Sequence, residues 1–235
     1  MKTLLVGKDL VKIEKLAKEL EFKLVTKNPE VIITYGGDGT LLLAERKYPS
    51  IPKLPLRNSQ VCKKCSDHDD KVVLQRLLDG KLKLKEHKKL HTKTFEGKEL
   101  FALNDFVIRN SDPVHTIRFR TSKTGNKLLI GDGLVISTPF GSTGYFKSIT
   151  GQTFDKGLAV AFNNTTEKTS PLFLKDGDSI TFKLIRGKAT LSFDNNPDIF
   201  TIDEGSELVF KLSNQIAKIY EDTSLRCPNC KVIRG

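Results

Sequence analysis

The stretch VIITYGGDGTLLLAERK, residues 31–47, sets the fold of the first part of the chain. The apolar run Val31–Tyr35 predicts a β-strand, and the leucine-rich run from about Thr40 to Lys47 predicts a helix. The loop between them holds Gly36, Gly37 and Gly39. Glycines let a ligand approach the main chain closely, and the free N–H groups at the start of the helix attract anions. The stretch therefore predicts a phosphate-binding loop.

Asp38 lies among these glycines and would repel a phosphate unless it has another task. A carboxylate there can hold Mg²⁺ that bridges phosphates, or remove a proton from a hydroxyl that attacks one. A tight turn in which the aspartate bonds its own backbone explains a lone G-G-D-G equally well. The loop by itself leaves both interpretations open.

Strands and helices alternate around this loop. Residues 3–7 predict a strand, Asp9 is placed to cap a helix after it, and residues 69–78 predict a further helix that ends at Gly80. This alternation predicts a doubly wound parallel sheet over residues 1–80.

From Lys81 onward the pattern changes to short runs of alternating polarity separated by turn residues. HTIRFR (115–120), SITFKLI (179–185) and ELVFKL (207–212) are examples. Many short strands with regular turns predict a β-sandwich, here over residues 81–214. The predicted fold class is an N-terminal α/β domain followed by a C-terminal β-sandwich domain.

Composition describes an ordinary globular chain of 235 residues, with 38% hydrophobic and 29% charged residues. The sequence shows neither a signal peptide nor a membrane-spanning stretch, which predicts a cytoplasmic protein without a membrane partner. The net charge is +11, and lysines crowd KLKLKEHKKLHTK, residues 81–93. A strand with one solvated, lysine-rich face is the first interpretation, and anionic small ligands are the second. No motif supports a specific nucleic-acid partner.

Two further stretches carry polar residues where apolar ones are expected. FALNDFVIRN, residues 101–110, places Asn104 and Asp105 inside an apolar strand. Such rule-breaking is typical of functional sites, although a bulge satisfied by internal hydrogen bonds is an alternative. GDGLVISTPFGSTGYFKS, residues 131–148, combines a strand with a loop of hydroxyls, glycines and one aromatic ring. These groups are suited to holding a nucleotide.

Together the three stretches resemble the NAD kinase family. Its members carry a G-G-D-G-T loop, an A-L-N-E/D strand and a D-G-[apolar]-x-x-S-T-P-x-G-S-T-A-Y segment in this order. Here they stand as Gly36–Thr40, Ala102–Asp105 and Asp132–Tyr145. The resemblance implies ATP-dependent phosphorylation of the 2′-hydroxyl of the adenosine ribose of NAD, which gives NADP. It also implies that residues 215–235 return to the first domain and that the protein is a homodimer or homotetramer.

The resemblance assigns roles to individual residues. Asp38 would position or deprotonate the attacking hydroxyl. The ATP phosphates, with Mg²⁺, would be held by Gly36, Gly37, Gly39 and Thr40. The residues expected to bind NAD are Asn104, Asp105, Asp132, Thr143, Gly144, Tyr145 and Ser148.

The chain departs from the family pattern along the expected acceptor pocket. The family's G-I-N-x-G-x-L-G-F-L segment is replaced by PKLPLRNSQVCKKCSDHD, residues 52–69, and Gly144 stands where alanine is usual. Two other functions therefore remain open: a non-catalytic NAD(P)-binding sensor, and a kinase of the same superfamily that acts on a lipid or another nucleoside.

All four cysteines occur in C-x-x-C pairs. The pairs are Cys62 with Cys65 and Cys227 with Cys230. Two such pairs match the halves of a Cys₄ zinc centre, so the sequence predicts a structural Zn²⁺. Local redox pairs are the alternative, which a reducing cytoplasm disfavours.

Overall fold

The structure is a computed structural model and describes residues 1–58, 69–125 and 127–221. Its chain divides into two compact units. Unit 1 comprises Met1–His87 and Ala217–Gly235, and unit 2 comprises Lys88–Ile216. Along the described residues no helix is long and apolar enough to span a membrane.

Unit 1 contains a parallel sheet and three helices. Its helices are α1 (Val11–Glu19), α2 (Asp38–Lys47) and α3 (Asp70–Leu78). Its strands are β1 (Lys2–Gly7), β2 (Lys23–Leu24), β3 (Val31–Gly36) and β4 (Lys53–Arg57). They lie in the order β2-β1-β3-β4, with every pairing parallel.

Strand β3 is buried on both faces. Val31, Ile33 and Tyr35 belong to the apolar cluster that includes α1 and α3. Ile32 and Thr34 are also buried, and the alternation of a strand turns them to the opposite face of the sheet. A strand covered on both sides explains why the sequence of β3 is a continuous apolar run. The prediction of a doubly wound α/β domain is confirmed.

Unit 2 holds two antiparallel sheets. Its strands begin with β5 (Lys83–Lys93), β6 (Glu99–Ala102), β7 (Asp105–Asn110), β8 (Ile117–Thr121), β9 (Leu129–Gly131), β10 (Gly133–Ser137) and β11 (Leu158–Asn163). They continue with β12 (Leu172–Leu174), β13 (Ser179–Arg186), β14 (Ala189–Phe193), β15 (Phe200–Ile202) and β16 (Glu207–Glu221). Both β5 and β16 cross the boundary between the units given above.

One sheet of unit 2 has the order β12-β11-β10-β7-β14-β15. The other has the order β16-β13-β8-β9, and β5 pairs with β6 and β16. A single cluster of buried residues fills the sandwich, including Phe106 from the first sheet and Phe119 and Phe182 from the second. The predicted β-sandwich is confirmed. A short helix, α4 (Tyr145–Thr150), packs Phe146 against Val135 and Ala159 on the other face of the first sheet.

The last strand completes the sheet of unit 1. Ile219 of β16 pairs in parallel with Lys53 of β4. Lys53 is fully buried there, and its ammonium group forms an ion pair with Glu45 of α2. Pro55 lies in the middle of β4 and has no N–H group to donate to a neighbouring strand.

Two local predictions are wrong. Asp9 does not cap α1, because its φ of +54° is left-handed whereas a capping residue needs an extended backbone. Helix α2 begins at Asp38 rather than Thr40, because Gly37 takes the extended N-cap conformation, with φ −98° and ψ −169°. The predicted end of α3 is confirmed, since Gly80 has a φ of +66°.

Candidate active-site loops of the two units

The glycine-rich loop of unit 1 is the turn from β3 into α2. A side chain at Gly36 would overlap the hydroxyl of Thr40, so only glycine fits there without moving the first turn of the helix. A side chain at Gly37 would meet nothing within 4 Å among the described residues. The two glycines thus differ: Gly36 is required by packing, whereas Gly37 leaves open space beside the main chain.

Asp38 is the first residue of α2 and is exposed. The backbone N–H of Thr40 donates to the carbonyl oxygen of Gly37 at 3.0 Å, so the first turn is formed. The first N–H groups of a helix have no partner within it, and the helix dipole is positive at this end. The loop can therefore bind an anion through backbone donors and also present a carboxylate beside it.

A buried polar contact lies behind the loop. The hydroxyl of Tyr35, one residue before Gly36, donates to Oδ2 of Asp70 at 3.4 Å, and Lys12 Nζ lies 3.5 Å from the same oxygen. Burial, together with the Asp70 carboxylate, raises the pKa of Tyr35 above its usual value. The sequence does not reveal this contact, because neither Tyr35 nor Asp70 departs from the pattern of its own element.

In unit 2 the ALND segment is a break between two strands. Ala102 ends β6 and Asp105 begins β7, so Leu103 and Asn104 lie outside the ladders. Asp105 is buried, whereas Asn104 is half-buried. The predicted continuous strand is therefore wrong at this point, and the alternative of a local irregularity with internal hydrogen bonds describes the backbone better.

The 131–148 segment folds against this break. A side chain at Gly141 would overlap the carbonyl group of Asn104, so glycine allows the loop after β10 to approach the break closely. Residues Gly141–Thr143 form a 3₁₀ turn that leads into α4, which contains Tyr145 and Ser148. The structure thereby brings the Asn104–Asp105 pair and the Thr143–Tyr145 stretch to adjoining segments of unit 2.

Two predicted NAD-binding residues make local hydrogen bonds. Asp132 Oδ2 accepts from Nδ2 of Asn164 at 3.0 Å, which ties the start of β10 to the end of β11. Ser148 Oγ donates to the carbonyl oxygen of Tyr145 at 2.7 Å, within α4. A ligand would have to share the first contact or replace the second.

Three charged groups are brought together inside unit 2. Burial, and then the neighbouring Asp194 carboxylate, raises the pKa of Asp105 to about 7. Burial raises the pKa of Asp194 to about 6, although backbone N–H groups of residues 103–105 and the Lys89 ammonium lower it. Lys89 itself is 5% exposed, so the predicted solvated lysine face of β5 is wrong for this one lysine.

The raised pKa of Asp105 gives a testable dependence of stability on pH. Between 3.8 and about 7 the folded protein holds a proton that the unfolded chain has released, so this group lowers stability as pH rises. We expect the advantage of Asp105→Asn over the wild type in free energy of unfolding to grow by about 2–3 kcal/mol between pH 5 and pH 8. Urea titrations at both pH values measure the difference. If the difference in free energy of unfolding between the two proteins did not grow with pH, the raised pKa of Asp105 would be contradicted.

The four cysteines lie outside the described residues, as does the predicted zinc site formed by Cys62, Cys65, Cys227 and Cys230. Within the described ranges, no group of three or more histidine, cysteine, aspartate or glutamate side chains could hold a metal ion. Asp38 remains the described carboxylate that the sequence connects with Mg²⁺.

Comparison with known proteins gives a consistent picture, although no protein-family model matches the chain. The NAD kinase of Methanopyrus kandleri is 36% identical over 132 residues, which cover 53% of this chain and 48% of that protein. The chain thus spans about half the length of this relative. The NAD kinase of Aquifex aeolicus is 29% identical over 219 residues, covering 86% of this chain and 80% of that protein.

Solved structures share the fold. An NAD kinase from Archaeoglobus fulgidus, crystallised in complex with ATP, superposes with a TM-score of 0.78 at 20% identity, over 96% of this chain and 95% of that one. Yeast NADH kinase complexed with NADH also superposes with a TM-score of 0.78, at 17% identity, over 95% and 84% of the two chains. Relatives named NAD kinase match along most of the chain, and solved NAD kinases share its two-domain fold, so the chain is similar to the NAD kinases in both sequence and fold.

Proposed function

We propose that this protein transfers a phosphoryl group from ATP to the 2′-hydroxyl of the adenosine ribose of NAD and so forms NADP. The observation that carries the proposal is the start of α2, where Gly37 leaves open space beside the main chain and the exposed Asp38 is the first residue of the helix. The relatives named NAD kinase support the choice of substrates.

On the donor side, the backbone of the glycine loop would hold the ATP phosphates, with Gly36, Gly37, Gly39 and Thr40 as the contact residues. Asp38 would position the attacking hydroxyl or take its proton. Phosphoryl transfer depends mainly on positioning and charge neutralisation, so one carboxylate is sufficient for the remaining proton handling.

Magnesium fits the oxygen donors of this loop. Mg²⁺ is commonly held by one or two carboxylates together with substrate phosphates, and the exposed carboxylate of Asp38 is of that kind. Held by Asp38, the ion would supply positive charge that offsets the charge of the phosphates.

On the acceptor side, we propose that unit 2 binds NAD. Asn104 and Asp105 would hydrogen-bond the adenosine half, and Thr143 would reach the adenine. The remaining contacts would come from Asp132, Gly144, Tyr145 and Ser148. Support comes from the close approach of the Gly141 loop to the Asn104 backbone, which groups several of these residues.

The decisive experiment incubates purified protein with NAD, ATP and Mg²⁺ and measures NADP with an NADP-specific dehydrogenase. We expect NADP only when all three are present, and none after chelation of Mg²⁺. Parallel reactions with NADH and with polyphosphate define the acceptor and the donor. Binding of NAD without NADP formation would contradict the kinase and favour the sensor.

We further propose that the four cysteines bind one structural Zn²⁺. Four thiolates fill a tetrahedral zinc with no open position, so the ion would take no part in phosphoryl transfer. Elemental analysis of protein purified without added metal should find about one zinc per chain. Chelation should lower the melting temperature, because thiolate–zinc binding is coupled to folding. Freely titratable thiols with no zinc would overturn this site and leave the kinase untouched.

The family resemblance also leads us to propose a homodimer or homotetramer. Light scattering of the purified protein measures its mass against 26.3 kDa for one chain.

A further inference from the structure

The break between β6 and β7 raises a question of hydrogen bonding. Leu103 and Asn104 lie outside both strands, so their two N–H and two C=O groups take no part in the regular hydrogen bonding between strands. Buried backbone groups without partners are costly and therefore rare. Both residues are at least half-buried, so these four groups need partners from elsewhere in the fold.

One side chain accepts from both N–H groups. Oδ2 of Asp194 accepts from the N–H of Leu103 at 2.5 Å, and Oδ1 accepts from the N–H of Asn104 at 2.7 Å. Asp194 begins the turn after β14, where it and Asn195 have φ of +47° and +51°. The turn is closed by a 2.7 Å bond from the N–H of Asn196 to the carbonyl oxygen of Phe193.

The two carbonyl groups are satisfied by Thr138. Its hydroxyl donates to the carbonyl oxygen of Leu103 at 2.6 Å, and its backbone N–H donates to that of Asn104 at 2.9 Å. The same hydroxyl accepts from the N–H of Gly141 at 3.0 Å. Thr138 thereby joins the break to the loop that carries Thr143.

These contacts fix the backbone of Asn104 but leave its side chain available. Within the described part of the chain, the side-chain amide of Asn104 has no hydrogen-bonding partner. The charge of Asp194 is costly to bury, and only a carboxylate offers an acceptor oxygen to each of two N–H groups at once. An asparagine would keep the left-handed turn but lose one of the two acceptors.

We propose that Asp194 and Thr138 are positioning residues that hold the Asn104 side chain in the orientation needed to bind the acceptor nucleotide. The inference rests on the proposed function, which assigns Asn104 to NAD. Neither Asp194 nor Thr138 need touch the nucleotide. Lys89 lies near Asp194 and partly balances its charge.

Two variants and one matched control test this inference. Asp194→Asn removes one acceptor, and Thr138→Val removes the hydroxyl while keeping the shape of the side chain. Asn195→Gly changes the neighbouring residue of the same turn, is exposed, and preserves the left-handed backbone. We expect the first two to raise the KM for NAD by about ten- to hundredfold and to leave the KM for ATP within about twofold. The control should leave both KM values unchanged.

Hydrogen exchange gives a readout that does not depend on nucleotides. In Asp194→Asn the amide of Leu103 or Asn104 should exchange faster, while amides in β11 keep the wild-type rate. Equal rises in both KM values, or wild-type kinetics with wild-type exchange, would overturn the positioning role alone. A wild-type protein that forms no NADP would instead overturn the proposed function, and the inference with it.

Discussion

Asp38→Asn should lower the turnover of NAD phosphorylation by about 10²–10⁴-fold, the usual contribution of general acid–base catalysis. The variant should fold normally, because Asp38 is exposed on the first turn of α2. Steady-state rates of NADP formation measure the loss. Calorimetry should show NAD affinity close to that of the wild type.

Glu14→Gln is the matched control for Asp38→Asn. Glu14 is also a carboxylate in the first turn of a helix of unit 1, and it forms an ion pair with Lys18 on the surface of α1. Losing this charge should leave turnover unchanged. If Asp38→Asn kept wild-type turnover, Asp38 would have no part in the chemistry, and the interpretation of the loop as a tight turn would be favoured.

Gly37→Ala should reduce kcat/KM for ATP by about tenfold or more, an effect of at least about 1.4 kcal/mol. The added methyl group meets no described protein atom within 4 Å, and a φ of −98° is open to alanine. Stability should fall by only about 0.5–1 kcal/mol, because alanine is a poorer N-cap than glycine. The methyl group would therefore obstruct the ligand rather than the fold.

Comparison of Gly36→Ala with Gly37→Ala separates an effect on packing from an effect on the approach of the ligand. Its methyl group would overlap the hydroxyl of Thr40, so this variant should lose about 1–3 kcal/mol of stability through overpacking. Melting curves recorded beside ATP kinetics distinguish the two glycines. Unchanged use of ATP by a stable Gly37→Ala protein would show that the phosphates bind elsewhere.

The architecture was largely predictable because it depends on local periodicity. The apolar run of β3, the glycine at the end of α3 and the alternating strands of unit 2 each carry their own signal. Asp9 failed as a cap because its backbone conformation depends on how the chain enters α1 after β1. The helix propensity of individual residues does not determine the backbone conformation of the residues that lead into the helix.

The site was predictable only where a residue departs from its own element. Asn104 and Asp105 interrupt an apolar run, and Asp38 lies among glycines, so the sequence itself marks them. Asp194, Thr138 and Lys89 were missed because their contacts join segments far apart in the chain. Asp194 and Asn104, for example, are 90 residues apart. Lys89 also belongs to a lysine-rich strand, and nothing in the sequence distinguishes this buried lysine from its exposed neighbours.

The pairing of Ile219 with Lys53 has a consequence for synthesis on the ribosome. Strand β4 is made early, whereas the strand that pairs with its free side is translated after the whole of unit 2. A nascent chain therefore carries an uncovered sheet edge for more than 150 residues of elongation, a template for misassociation with other chains. Pro55 shortens that template, because a proline breaks the row of edge donors.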